Sequence, residues 1–157
     1  MKHIISVMVE NKSGVLAKVA GLFSRRGFNI DSLAVGPTDD NAISRITIVV
    51  NAENHSIEQI TKQLYKLINV IKIQELDPSN IVERELVLIK VSADSKSRPE
   101  ILEIVNIFRA NIVDVGKKTL VLEITGSNRK VKALEDLLKP FGIRELVRTG
   151  KVACMRG

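Results

Sequence analysis

Apolar positions along this chain recur at two periods, and the two alternate. Residues 3–9 (HIISVMV) form a short, nearly unbroken apolar run of strand length. The next segment sets Val15, Leu16, Val19, Leu22 and Phe23 on one face at the helical period. Ser13 stands where a helix N-cap is expected, and Gly27 where a left-handed residue ends the helix. Arg25 and Arg26 fall in the last turn, at the negative end of the helix dipole. Residues 28–35 then alternate apolar and polar, as a strand with one exposed face does. GPTDDN at 36–41 has the residues of a hairpin loop, and Ile43–Asn51 returns as a strand. A second helix is predicted from Asn54 or Ser56, with Gln59 completing a capping box after Ser56. Its inner face would be Ile57, Ile60, Leu64, Leu67 and Ile68, and Val70–Leu76 follows as a fourth strand.

The same order then recurs. Asp77-Pro78-Ser79-Asn80 breaks the pattern, and residues 85–91 (ELVLIKV) resume it as a strand. Ser97-Arg98-Pro99-Glu100 is a strong helix start, with Ser as cap, Glu three residues on and Pro in the first turn. Ile101, Ile104, Val105 and Phe108 form its buried face. Asn111–Val115, a tight hairpin at Gly116-Lys117-Lys118, and 119–125 supply two strands. Val131, Leu134, Leu137 and Leu138 line a last helix, and Ile143–Arg148 ends the second sheet. LFSRRGFNID at 22–31 is echoed by IFRANIVD at 107–114, each with an Asn-Ile pair followed by an acid. The predicted fold class is α+β: two tandem ferredoxin-like β-α-β-β-α-β units with antiparallel sheets and helices on one face. The first unit covers 1–76, a linker 77–82, and the second unit 83–157. Units of roughly 75 residues are near the lower size for a stable core, so pairing between units is expected.

Composition narrows the function. Apolar residues make up 45% and charged residues 27% of 157, as in a soluble globular protein. No apolar run approaches the ~18 residues of a membrane span, and the N-terminus lacks a signal-peptide pattern, so no membrane association and a cytoplasmic location are expected. One cysteine, Cys154, leaves no disulfide framework or cysteine-based metal cluster. A net charge of +6 raises the alternative of a basic ferredoxin-like RNA-binding protein. Against it, the cations are dispersed, aromatics are 3% of the chain, and the central strands ISRITIVV and LVLEIT offer none to stack on bases. Only His3 and His55 are available as near-neutral acid-base groups, one opening a strand and the other a helix. Asp31 and Asp114 read as turn-side or surface groups, so no catalytic residue and no metal ligand is expected.

The segment ENKSGVL at 10–16 joins the first strand to the first helix and has two readings. It is a helix cap, or it is a binding loop. Uncapped N–H groups at a positive dipole end suit a carboxylate or phosphate, and Gly14 removes a side chain from their approach. The Asn11 amide adds an acceptor for an ammonium, which favours a small zwitterion over a phosphate. The equivalent segment of the second unit, SADSKSRPEIL, has no glycine, so the fold itself does not require Gly14. Asn29 is a polar amide in a strand directly after the helix-closing Gly27.

The combination of NKSGVL, GFNIDSL and PTDDNAISRITI resembles the regulatory (small) subunits of acetohydroxyacid synthase, also called acetolactate synthase. The likeness continues through VERELVLIKV, IFRANIVDVG, ITG and RELVRTGKVACMRG, so it covers nearly the whole chain. It implies that the first unit is an ACT domain, a module that binds amino acids. Asn11, Gly14, Val15 and Leu16 would hold the carboxylate and amine of a branched-chain amino acid, with valine foremost. Asn29 and Ile30 would come from a neighbouring copy in a homodimer formed through the ACT domains, which would also cover the apolar edge strand at 28–35. The resemblance further implies that the chain is non-catalytic, binds and activates a catalytic (large) subunit, and confers feedback inhibition in branched-chain amino acid biosynthesis. Thiamine diphosphate, Mg²⁺ and FAD would belong to that subunit, with no cofactor in this chain. The second unit, lacking the glycine loop, would serve association and activation.

Overall fold

The computed structural model describes residues 2–157, apart from the side chains of Asn54 and His55, which leaves the expectation for His55 outside the described residues. The elements run β1 (Lys2–Glu10), α1 (Val15–Arg25), β2 (Asn29–Pro37), β3 (Ile43–Asn51), α2 (Asn54–Tyr65) and β4 (Val70–Leu76). They continue with β5 (Ile81–Ser92), α3 (Arg98–Ile107), β6 (Asn111–Val115), β7 (Thr119–Gly126), α4 (Asn128–Leu138), β8 (Ile143–Arg148) and β9 (Val152–Met155). The first sheet has the order β2-β3-β1-β4 and the second β6-β7-β5-β8, with antiparallel pairing throughout both orders. This is the predicted α+β class, a ferredoxin-like unit in duplicate.

Alternation along β1 decides what each face of the first sheet meets. Ile5, Val7 and Val9 point to the helices and pack with Ile46, Ile48 and Val50 of β3. Val15, Val19 and Phe23 of α1 and Ile57, Ile60 and Leu64 of α2 close this core. The second unit repeats it with Val87, Ile89 and Val91 of β5 against Ile101, Val105, Val131, Leu134 and Leu138. The opposite face of the first sheet is not wholly open. Ile4, Val49 and Leu76 pack with Ile81, and Ala153 and Met155 of β9 lie against them. By contacts the chain divides into one unit of residues up to Val82 together with Lys151–Gly157, and a second of Glu83–Gly150. The last seven residues, assigned by sequence to the second unit, therefore pack with the first. β9, which the sequence reading ended without, pairs with β5.

Local chemistry corrects several expectations. Gly14, not Ser13, is the N-cap of α1, at φ +85°, and no side chain caps that end. Glu53, not Asn54 or Ser56, holds the N-cap position of α2, and it makes no side-chain capping bond. Ser97 holds the cap position of α3, but its hydroxyl accepts from the Asp94 N–H instead of capping the helix. Gly27 closes α1 at φ +77° as expected. Ile68 is not on an inner helix face: α2 ends at Tyr65, and Ile68 is 91% exposed. Leu137 is likewise exposed on α4, and Leu16 on α1.

Candidate functional site

The loop between β1 and α1 is held from below by backbone bonds. Glu10 N–H donates to the Asn69 carbonyl at 2.9 Å, and Asn11 N–H to the Ala42 carbonyl at 2.8 Å. The Asn11 side chain reinforces the second contact, its Nδ2 donating to the Asn41 carbonyl at 2.8 Å. That bond fixes the amide and leaves Oδ1 as the acceptor the side chain presents. Lys12 folds back on Glu10 at 2.8 Å. The hydrogen bond and charge of Lys12 lower the Glu10 carboxyl from its ordinary value, and those of Glu10 raise Lys12. This pair therefore adds little net charge to the loop.

Gly14 then turns the chain into α1. Its left-handed φ would strain most other residues by about 1–2 kcal/mol, yet no atom lies within 4 Å of where a Cβ would stand. The conformation of this loop favours glycine, and the space beside it is open. With neither a side-chain cap nor an acidic residue in the first turn, the helix end keeps its positive partial charge for an outside anion. Val15 is buried in the core, so only its backbone faces the loop, while Asn11, Gly14 and Leu16 are exposed.

Asn29 and Ile30 are elsewhere. Asn29 opens β2 opposite Asn51, whereas Glu10, at the loop end of β1, stands opposite Ile43. The eight residue steps of β3 from Ile43 to Asn51 separate the two places by roughly 25 Å at ~3.3 Å per step. Asn11, Gly14, Val15 and Leu16 are brought together, and Asn29 and Ile30 lie at the far end of the same sheet. Asn29 is exposed, Ile30 is half-buried against the core, and β2 is an edge strand.

The corresponding loop of the second unit is built differently. Asp94 accepts from the backbone N–H groups of Ser97 (2.8 Å) and Lys96 (2.9 Å), and these bonds, with the Ser97 side chain, lower its carboxyl from the ordinary value. Arg98 Nη2 donates to the carbonyls of Gly116 and Lys117. A carboxylate of the chain itself thus takes backbone N–H groups just ahead of α3, whereas no side chain caps the start of α1.

Other candidates resolve into structural roles. His3 is 4% exposed, with Nδ1 against Glu75 and Nε2 at 3.0 Å from the Ala52 carbonyl. Sequence reasoning found no partner for it because Glu75 is 72 residues away. Both ring nitrogens are engaged. Asp31 pairs with Lys2 at 3.3 Å. On the helix-free face of the first sheet Met8 and Arg45 lie beyond the row covered by β9, Ser6 and Thr47 are buried, and none of the four is aromatic. Among the described residues no group of His, Cys, Asp and Glu is placed to hold a metal ion, and no helix is long and apolar enough to cross a membrane.

Two family models match successive parts of the chain, the second running through the C-terminal tail. Residues 5–72 match the family model described as "AHAS small subunit-like ACT domain", and residues 84–157 match "Small subunit of acetolactate synthase". The chain is 59% identical over 155 residues to the acetolactate synthase small subunit of Mycobacterium bovis, covering 99% of this chain and 92% of that one. It is 57% identical over 157 residues to a probable acetolactate synthase small subunit of Archaeoglobus fulgidus, covering 100% and 98%. The crystal structure of the acetolactate synthase small subunit from Thermotoga maritima superposes with a TM-score of 0.93 at 46% identity, over 100% of this chain and 98% of that one.

Proposed function

The chain belongs to the family of acetolactate synthase small subunits, and we propose that it works as the regulatory subunit of that enzyme. In this reading it binds the catalytic large subunit in the cytoplasm, raises its activity, and confers feedback inhibition by valine. It takes no part in the chemistry, and thiamine diphosphate, Mg²⁺ and FAD reside in the catalytic chain.

The observation that carries the effector site is the separation of its two halves. Asn11 and Gly14 cannot meet Asn29 and Ile30 within one chain. Two copies paired antiparallel along their β2 edges would set Asn29 of one beside the Pro37 end of the other, the end at which Gly14 lies. Such pairing also satisfies two open strand edges at once. The ligand's carboxylate then meets the N–H groups at the start of α1, and its ammonium meets Asn11 Oδ1. Ile30 and Asn29 of the second copy supply an apolar and a polar wall. Valine transmits inhibition only so far as it binds one conformation or assembly of the complex better than another.

Calorimetric titration of the homodimer with valine tests the site. The wild-type chain should show saturable binding. Gly14→Asn and Gly14→Asp are nearly isosteric, and both residues tolerate a left-handed φ, so their difference isolates the charge. The Asp variant should bind at least about tenfold more weakly than the Asn variant, a gap of ~1.4 kcal/mol. Equal binding by the two would remove the carboxylate from this place.

A further inference from the structure

The corner between α2 and β4 serves two directions. Leu64, Leu67, Val70 and Ile73 turn inward and pack with the core of the first unit. Between them, Tyr65, Ile68 and Ile71 turn outward and are 52%, 91% and 48% exposed. A connection between a helix and an edge strand ordinarily carries polar residues, and the side chains of Ile68 and Ile71 gain nothing from the fold by facing water. An apolar cluster with a polar rim marks an interaction surface.

The rim is cationic. Lys62, Lys66 and Lys72 flank the cluster in sequence and are exposed, and none of them enters a salt bridge among the described residues. Of the acids around this corner, Glu10 is engaged by Lys12 and Glu75 by His3, and Glu58, one helical turn before Lys62 on α2, is exposed. Strand addition is closed here, because the Tyr65 hydroxyl accepts from Ile73 N–H at 3.0 Å and donates to the Ile73 carbonyl at 3.3 Å. A partner must therefore engage side chains. A second copy fits poorly, since a two-fold contact would set three lysines of each chain against three of the other.

Resting on the regulatory reading above, we propose that Tyr65, Ile68 and Ile71 form a docking knob for an apolar hollow rimmed by Asp and Glu carboxylates on the catalytic subunit. The corner is one hydrogen bond from the candidate effector loop, through Glu10 N–H and the Asn69 carbonyl. A shift of that loop on binding an amino acid reaches the docked partner by this contact.

The test is the affinity of the full chain for its catalytic subunit, measured with Ile68→Asp and, separately, Lys66→Glu. Ile68→Asp should raise the Kd by at least about tenfold, as loss of an interface anchor does. Lys66→Glu should weaken binding and flatten its dependence on salt. Valine titration and the homodimer mass should be unchanged in both. An unchanged Kd for Ile68→Asp overturns the proposal, as does loss of the homodimer, which would make the knob a contact between copies. Binding of the chain to anionic phospholipid vesicles that is abolished by Ile68→Asp, with the complex intact, overturns it in favour of a membrane surface. If the wild-type chain fails to bind the catalytic subunit at all, the regulatory reading itself falls.

Discussion

Gly27 and Arg109 hold the same place in the two units and meet it unequally. After α1, Phe28 N–H bonds to the Phe23 carbonyl at 3.0 Å and Gly27 N–H to the Ser24 carbonyl at 3.1 Å. After α3, Ala110 N–H bonds to the Val105 carbonyl at 3.0 Å and Arg109 N–H to the Asn106 carbonyl at 3.2 Å. Both ends are Schellman closures, and both need a left-handed residue. Gly27 adopts φ +77° freely, whereas Arg109 is held at φ +55°. Its side chain is exposed. Arg109→Gly should therefore stabilise the second unit by about 0.5–1 kcal/mol, the relief of left-handed strain less the chain entropy glycine adds to the unfolded state. Hydrogen exchange of residues 83–150 measures this, and slower exchange is the expected result. Glycine is the residue that announces a positive φ, so Gly27 was legible in the sequence and Arg109 was not. The Ser13-Gly14 pair was legible only by half. Both residues start helices, one by a side-chain bond and one by backbone freedom, and composition alone does not choose between them.

At the scale of elements the duplication is closer than the residue echoes indicate. The bulge that leaves Asp31 without a ladder partner in β2 recurs at Val113 in β6, and the shift at Met8/Val9 recurs at Lys90/Val91. The bond from Asn11 N–H to Ala42 recurs from Ala93 N–H to Lys118, and that from Glu10 N–H to Asn69 recurs from Ser92 N–H to Gly142. Element order and core faces were readable because the strand and helix periods differ, but bulges and cross-loop bonds depend on register, which no local period reveals. The edges of the first sheet diverge in a way that bears on assembly. β2 ends the sheet on one side, whereas on the other Tyr65 occupies the outward N–H and C=O of Ile73 in β4. Tyr65→Phe keeps the ring and deletes the hydroxyl. It should cost about 0.5–1.5 kcal/mol and open β4 to strand pairing. Sedimentation velocity should show species larger than those the wild-type chain forms, growing with concentration. If the variant keeps the wild-type distribution, the hydroxyl is not what blocks that edge.

On the scale of the whole chain, the last strand joins what the sequence order keeps apart. Lys151–Gly157 return to the first unit. There Ala153 and Met155 cover Ile4, Val49, Leu76 and Ile81, and Arg156 N–H bonds to the Asn80 carbonyl at 2.9 Å. Lys151 N–H reaches Ser32 Oγ at 3.5 Å, three residues along β2 from Asn29. The tail thus backs the strand whose start supplies one wall of the proposed effector site, while touching neither Asn11 nor Gly14. Its role was illegible in the sequence because VACM is too short for a period to show, and its partners lie about a hundred or more positions away for β1, β2 and β3. Removing Lys151–Gly157 uncovers four apolar side chains and deletes the β9 pairing. The first unit should lose about 2–4 kcal/mol of stability and bind a hydrophobic dye that the intact chain excludes. Valine affinity should fall as well, because β2 loses its backing. Met155→Asp places a charge in the same apolar row with the chain length kept, and should reproduce the dye binding and the weaker affinity. A truncated chain with wild-type unfolding and wild-type valine binding would show that the covered face stabilises neither the sheet nor the edge that carries Asn29.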